Sequence, residues 1–331
     1  MTSKLQNMRA LADKTANDLT TFHGNWQRFL ETSARIYKYS FPDQMLIYAQ
    51  KPDAIAVAEI ELWNEKFDRW VRRGTKGIAL IDDTGHFPRL RYVFDVQDTE
   101  ASRSRARSVR IWEAQQEHKD LVIAALAKNY EDIDENDSLA DTLRNIASQL
   151  AQEYYSDNAH DIQFRAEDSV LEPQAVYDLD GAAYDERDNT YLKSTFTEML
   201  TNSVAYTLMS RCGLDADSEF DAEDFGAIAD FNTTDIIYAL GTATTELSGQ
   251  VLRDIEIVIR KYERQKVAHA ERSEQNYDRS NHLQPGGRLS APEHQPIGNA
   301  GGTDTSRQIR TDEESLPQRP QDSQLQPPVA D

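Results

Sequence analysis

Cationic and aromatic side chains alternate within the first hundred residues, and they are the side chains of this chain best suited to bind a ligand. A basic, glycine-rich cluster consists of Arg69, Arg72, Arg73 and Lys76 around two glycines. Because glycine accepts positive φ and lets another backbone approach closely, this segment predicts the basic rim of a hairpin. Aromatic rings and ammonium groups also alternate before it, between residues 37 and 51.

This combination is typical of a site that binds single-stranded nucleic acid without reading its sequence. Every base offers a π face for stacking on an aromatic ring, worth about 1–3 kcal/mol per base, while cations follow the phosphates. The residues predicted to contact DNA are Lys38, Tyr39, Tyr48, Lys51, Arg69, Arg72, Arg73, Lys76 and Arg91. The alternative role for the large apolar residues is the core of a small α/β domain. That role is expected of Trp26, Phe29, Leu46, Ile47, Trp63 and Trp70.

The sequence contains no recognisable catalytic or metal-binding motif. It has no glycine-rich phosphate loop, and its lone Cys212 has no recognisable base partner. Residues 132–136 resemble the start of a calcium loop, but Asp137 and Leu143 occupy the positions that need glycine and glutamate. The sequence therefore predicts no enzyme activity, no cofactor and no metal site.

Charge is distributed unevenly along the chain. The formal net charge is −21, which taken alone argues against a nucleic-acid-binding protein. Residues 1–110, however, hold 18 Lys and Arg against 14 Asp and Glu, a net of +4. Residues 111–270 carry −21 and the remainder carries −4. This asymmetry indicates that a polyanion would bind to the first third of the chain.

Length and composition predict a soluble cytoplasmic protein of about two domains. The chain has 331 residues, and no apolar run approaches the roughly 20 residues needed to cross a bilayer, so no membrane partner is expected. A single cysteine cannot form an intrachain disulfide, which fits a reducing compartment.

The pattern of apolar residues and breakers predicts an α+β protein in three parts. These are a small α/β domain (residues 1–110), an acidic and mainly helical domain (111–268) and a disordered tail rich in proline, glycine and polar residues (269–331). Helices are predicted at 3–20, 24–39, 59–66, 112–129, 191–212 and 233–266, with acidic helices and loops over 137–190. Strands are predicted at 54–58, 69–73, 77–82 and 89–96.

Three sequence blocks, in this order and at this spacing, resemble a known family. They are Trp26-x-x-Phe29-Leu30 followed by YKYSFPDQMLIYAQKPDA (37–54), then RWVRRGTKGIAL (69–80), and finally YVFDVQDT (92–99). They resemble the N-terminal single-stranded-DNA-binding domain of the ArdC family of antirestriction proteins. The resemblance covers about the first third of the chain and is strongest to the version that heads very large proteins of conjugative elements in Gram-positive gut bacteria.

The ArdC resemblance also implies what should follow that domain. Members of the family carry a zinc metallopeptidase-like domain with a His-Glu-x-x-His helix, in which the two histidines hold zinc and the glutamate activates water. Aligned with that motif, this chain has Asn202, Ser203 and Tyr206 at the three functional positions. The second domain is therefore expected to be a degenerate peptidase-like fold without catalytic residues.

Two functions of different classes are consistent with the sequence. The first is a non-catalytic, sequence-tolerant single-stranded-DNA-binding module of a mobile element, which protects transferred DNA or targets a helicase- or methylase-like region to it. The alternative is an anti-defence protein that works by protein contact, with acidic residues 111–270 mimicking DNA in the groove of a host nuclease. A plainly solvated acidic surface is the simpler explanation of that charge.

Overall fold

The computed structural model describes residues 3–101, 109, 111–177 and 183–281. Residues 1–277 form one compact unit, which is mostly helical and contains small antiparallel sheets. The predicted α+β class is confirmed at this level. Within the described ranges, no helix combines the length and the apolar character that a membrane span requires.

The first part of the chain contains four helices and five short strands. Its helices are α1 (Lys4–Thr20), α2 (His23–Arg35), α3 (Phe41–Gln50) and α4 (Ile60–Phe67). Its strands are β1 (Val57–Ala58), β2 (Arg69–Val71), β3 (Ile78–Asp82), β4 (Arg89–Asp95) and β5 (Thr99–Ala101). Strands β1, β4 and β3 form an antiparallel sheet in that order, and β2 pairs with β5 in a separate ribbon. These elements place Arg69 at the start of β2 and the rest of the basic cluster between β2 and β3.

The three-stranded sheet buries one face and leaves the other partly open. Ile78, Leu80 and Val93 join residues of α3 in a small hydrophobic core, whereas Tyr92, which alternates with Val93 along β4, is 44% exposed. The outer edge of β3 is covered by Gln50, whose amide donates to Ala79 O at 2.9 Å and accepts from Ala79 N at 3.0 Å. This side chain satisfies backbone groups that an edge strand would otherwise expose.

The second part of the chain is built around three long helices, which two short helices accompany. Its helices are α5 (Lys119–Leu126), α6 (Leu139–Arg165), α7 (Thr190–Arg211), α8 (Ala216–Glu219) and α9 (Thr234–Asn281). Strands β6 (Gln174–Tyr177) and β7 (Ala183–Asp188) form a hairpin between α6 and α7. Helix α7 packs against α6 on one side and against α2 of the first part on the other.

The hydrophobic core crosses the predicted domain boundary at residue 110. Trp26 of α2 is fully buried, and its indole N–H donates to Ser203 Oγ of α7 at 2.8 Å. The ring of Phe41 in α3 meets Tyr238 of α9 edge-on at 5.4 Å, and it lies so close to Gly241 that a Cβ there would clash. The two parts of the chain therefore share the main hydrophobic core, beside the small core that the first part forms with its sheet.

Several predicted elements need correction. The helix predicted at 24–39 ends at Arg35, and a new helix begins at Phe41 because a proline is favourable in the first turn of a helix. The helix predicted at 112–129 is shorter, beginning at Lys119 after a 3-10 turn. Strands β5, β6 and β7 were not predicted.

The long C-terminal helix extends beyond its predicted end. Helix α9 continues to Asn281, about 70 Å in all at 1.5 Å per residue. Residues 269–281, assigned to the tail from the sequence, are therefore helical. They contain good helix formers, and the first proline after them is Pro285. The rest of the predicted disordered tail, residues 282–331, lies outside the described residues.

Candidate nucleic-acid interface

The basic cluster forms a tight turn between β2 and β3, which we call the Arg–Gly turn (residues 72–77). The N–H of Thr75 donates to Arg72 O at 3.1 Å, and Gly74 has a φ of +89°. A positive φ at the third position is what a type II turn requires, and glycine meets this requirement without strain. The two glycines lie in a turn, but the predicted hairpin is wrong, because β2 pairs with β5 and β3 pairs with β4 instead of with each other.

Three cations of the Arg–Gly turn point into solvent. Arg72, Arg73 and Lys76 are exposed, and none of them forms an ion pair with a described residue. The backbone of Arg72 continues the β2–β5 ladder, since its N–H donates to Asp98 O at 3.0 Å. The turn thus presents three uncompensated positive charges from a backbone that is held at one end by strand pairing.

Aromatic rings border the Arg–Gly turn. Trp70 in β2 is 51% exposed, and Tyr92 in β4 is 44% exposed. At the other end of the turn, a Cβ on Gly77 would lie 3.0 Å from the ring of Phe94 and 3.3 Å from Cβ of Tyr92. Gly77 therefore allows the end of the turn to lie directly on the open face of the sheet. An exposed ring thus adjoins each end of the turn that carries the three cations.

The exposure of Trp70 contradicts the core role predicted for it. Trp26, Phe29, Leu46, Ile47 and Trp63 are buried as expected, but Trp70 lies on a two-stranded ribbon opposite Glu100. A ribbon of three residues per strand has no second layer to cover both of its faces. The composition of the segment favoured burial, whereas the topology leaves this ring in solvent.

Three of the predicted cationic contacts are engaged inside the protein. Arg69 donates to Thr99 Oγ1 at 2.7 Å and to Thr99 O at 3.0 Å, and so it braces the β2–β5 ribbon. Lys51 forms an ion pair with Asp98 at 2.8 Å. Burial disfavours its charged form, but the hydrogen bond to Asp98 and the nearby carboxylates of Asp95 and Asp53 together outweigh burial and raise the pKa of Lys51.

Arg91 is likewise compensated. Its guanidinium contacts Asp43 at 2.5 Å and Glu59 at 3.6 Å, so that two carboxylates neutralise one cation. Arg69, Lys51 and Arg91 all stabilise the fold around the strands. The positive charge available to a ligand on this side of the protein therefore resides mainly in the Arg–Gly turn.

The two tyrosines predicted as stacking platforms are packed against other residues. The hydroxyl of Tyr39 donates to Val57 O at 2.9 Å, and burial raises the pKa of Tyr39 to about 12. Tyr48 packs edge-on against Phe29 at 5.7 Å and covers part of the main core. The exposed rings next to the Arg–Gly turn are those of Trp70 and Tyr92, which the sequence prediction missed. The sequence pattern could have indicated both rings as candidate contacts. Trp70 adjoins the basic cluster, and Tyr92 alternates along its strand with the buried Val93.

Lys38 lies elsewhere, on a groove beside α9. Its side chain is 57% exposed and pairs with Glu256 at 2.8 Å. It is therefore not part of the Arg–Gly turn surface.

The three positions aligned with the peptidase motif are hydrogen-bonded within the fold. Asn202 donates to Asp224 O at 2.8 Å, Ser203 accepts from Trp26, and Tyr206 donates to Asp217 at 2.8 Å. Burial, followed by the hydrogen bond to Asp217, raises the pKa of Tyr206. Each side chain thus has a structural partner and helps to join α7 to its neighbours.

One group of described residues has the composition of a metal site. Ligand atoms of Glu117, His118 and Glu263 lie within 4.8 Å of one another. The N–H of Gln115 donates to Nδ1 of His118 at 3.0 Å, so in the neutral ring Nε2 bears the proton and donates to Glu263 at 3.0 Å. A metal at Nε2 would need that proton to move to Nδ1, against the Gln115 N–H. The ammonium of Lys266 also binds Glu117 at 2.7 Å. Hydrogen bonding accounts for the group without a cation.

Comparison of the chain with protein-family models, with curated proteins and with solved structures gave no match.

Proposed function

We propose that this chain is a non-catalytic module that binds single-stranded DNA without strong sequence preference, within a mobile genetic element of the conjugative type. The observation that carries the proposal is the juxtaposition of three unpaired cations in the Arg–Gly turn with the exposed rings of Trp70 and Tyr92. Cations that follow phosphates beside rings that accept any base are the two components of a sequence-tolerant single-strand site.

The arrangement favours a single strand over a duplex. In a duplex the bases are stacked on one another, so the exposed rings of Trp70 and Tyr92 would have no free base faces to contact. A single strand offers its bases and phosphates together, which matches rings and cations presented side by side. These rings and cations lie on an open surface, where any base can be accommodated, in keeping with tolerance of sequence.

The biological role in this proposal comes from the ArdC resemblance. The module would coat incoming single-stranded DNA and shield it from restriction, or deliver a helicase- or methylase-like region to it. The degenerate peptidase-like assignment of residues 111–268 belongs to the same proposal. It is supported by Asn202, Ser203 and Tyr206 at the three motif positions and by their use in hydrogen bonds.

The test replaces Arg72, Arg73 and Lys76 together by glutamine in the full chain. Arg69 is left in place because it braces the ribbon. Affinity for a labelled oligothymidylate should fall, and the slope of log affinity against log salt should become shallower by about 0.7 for each phosphate that is no longer neutralised. Circular dichroism should show an unchanged fold.

A matched control removes the same charge elsewhere. Lys14, Lys128 and Lys193 are exposed, and replacing all three by glutamine alters the net charge equally. The proposal requires the control variant to bind oligothymidylate like the parent. Equal losses of affinity in both variants would mean that only net charge matters, and parental binding by the Arg–Gly turn variant would place the DNA elsewhere.

A further inference from the structure

A concave site separate from the Arg–Gly turn is lined by Val109, by residues between 111 and 118 and by the C-terminal half of α9. Its main cavity has a volume of about 670 Å³, within the range of ligand pockets. A smaller cavity of about 220 Å³ adjoins it and extends towards residues 35–39 and α4. The two cavities share Val109, Ile111, Trp112 and Arg260 as lining residues, so they form one groove. The Arg–Gly turn contributes nothing to it.

Basic residues outnumber acidic ones among the charged residues that line the groove. Its basic residues are Arg35, Lys38, Arg211, Arg260, Arg264 and Lys266, and its acidic residues are Glu113, Glu256 and Glu263. Four of the basic residues come from the part of the chain, 111–270, whose formal net charge is −21. Cations gathered along one groove of an otherwise acidic region attract an anionic ligand to that groove.

One internal carboxylate occupies the centre of these cations. Glu256 is only 8% exposed, and its oxygens accept from Tyr37 at 2.5 Å, from Lys38 at 2.8 Å and from Arg260 at 2.7 Å. Three donors that converge on one oxyanion are also suited to a phosphate oxygen. Glu256 thus holds Lys38 and Arg260 in the geometry that an external phosphate would use, and it competes with that phosphate.

Other groups of the groove are held ready for an anion. Arg211 stacks on the ring of Trp112 at 3.8 Å and donates to Trp112 O, while its buried Nε has no hydrogen-bond partner among the described residues. Arg264 is exposed and forms no ion pair with a described residue. A phosphate-bearing ligand would supply the acceptor that the exposed guanidinium of Arg264 lacks among the described residues.

We infer that this groove is a second anion site, which binds a phosphate-bearing ligand through Lys38, Arg260 and Arg264 and is restrained by Glu256 as an internal competitor. The same chemistry is offered by a free nucleotide or pyrophosphate and by the backbone of a DNA strand. The inference does not depend on single-strand binding at the Arg–Gly turn, since the two sites share no residue.

The inference is tested by calorimetric titration of the full chain at low salt with pyrophosphate, with thymidine 5′-monophosphate and with oligothymidylate. Glu256→Gln removes the competing charge but keeps the shape, and it should tighten pyrophosphate binding about tenfold. Arg264→Gln should weaken it about five- to tenfold. If the mononucleotide binds as tightly as pyrophosphate, the ligand of the groove is a free nucleotide. If the parent prefers the oligonucleotide and Arg264→Gln loses this preference, the ligand is DNA.

Two exposed residues of the same helix provide matched controls. Lys261 is next to Arg260 but does not line the groove, and Glu246 lies nearer the N-terminus of α9, also outside the groove. Lys261→Gln and Glu246→Gln should leave pyrophosphate binding unchanged. Equal effects of Lys261→Gln and Arg264→Gln, or no pyrophosphate binding by either the parent or Glu256→Gln, would overturn the inference. If the protein binds pyrophosphate but no oligonucleotide, the groove is supported as an anion site and the proposed function is contradicted.

Discussion

Replacing Trp70 by alanine separates a binding role from a core role for this ring. Because about half of the surface of Trp70 is already in solvent, truncation removes about 100 Å² or less of buried apolar area and leaves no enclosed cavity. We expect the free energy of unfolding to fall by only about 1–2 kcal/mol. Affinity for oligothymidylate should fall by about 1–3 kcal/mol, the usual loss when a stacking ring is removed.

Trp63 is the matched comparison within the same part of the chain. It is 2% exposed, and its indole N–H donates to Phe94 O at 2.8 Å. Trp63→Ala should therefore cost about 3–5 kcal/mol of stability, because it creates a cavity and leaves a carbonyl without its partner.

The assay for this pair is urea unfolding followed by circular dichroism, combined with fluorescence anisotropy of a labelled oligothymidylate under folding conditions. The reasoning is refuted if Trp70→Ala loses as much stability as Trp63→Ala. It is also refuted if Trp70→Ala binds the oligonucleotide like the parent.

Three further outcomes follow from the fold. A fragment of residues 1–110 should fail to fold, because Trp26 and Phe41 lose their partners in α7 and α9. Circular dichroism should then show no cooperative thermal transition. A cooperative transition would contradict the shared core. Gly77→Ala should lower both stability and oligonucleotide affinity, because the new Cβ would press on the ring of Phe94, and parental values for both would count against that packing. Burial favours the protonated form of Glu256, but hydrogen bonds, chiefly from Lys38 and Tyr37, outweigh it and lower the pKa of this carboxyl from 4.5 to about 2. Its contribution to stability is therefore complete above pH 4.5 and is lost as the pH falls through about 2, so unfolding experiments across that range should show a weaker pH dependence for Glu256→Gln than for the parent.

The sequence was most informative where local signals were strong. Strands β3 and β4 could be located because short apolar runs there are bounded by glycine and proline, and α7 because its apolar residues keep helical spacing. Helix α3 was not predicted because Pro42 indicates the end of a helix, although proline is equally suited to the first turn of a new one. Local pattern alone does not distinguish these two uses.

The candidate sites depended on tertiary structure that local pattern cannot reveal. The exposure of Trp70 follows from the lack of a covering layer on the β2–β5 ribbon, and the engagement of Arg69 and Lys51 follows from partners about thirty to fifty positions away. The groove is still more remote from sequence reasoning, since Lys38 and Glu256 are 218 positions apart. Only the Arg–Gly turn, whose residues are consecutive, could be predicted as a unit.

The central claim is that the full chain binds single-stranded DNA through phosphate contacts and base stacking. The most direct measurement is the affinity of the unmodified protein for oligothymidylate and for a hairpin duplex of similar charge, each titrated over a range of salt concentrations. We predict tighter binding to the single strand, with a log–log slope of about −2 if the three cations of the Arg–Gly turn each neutralise one phosphate. A flat salt dependence, or tighter binding to the duplex, would contradict the account.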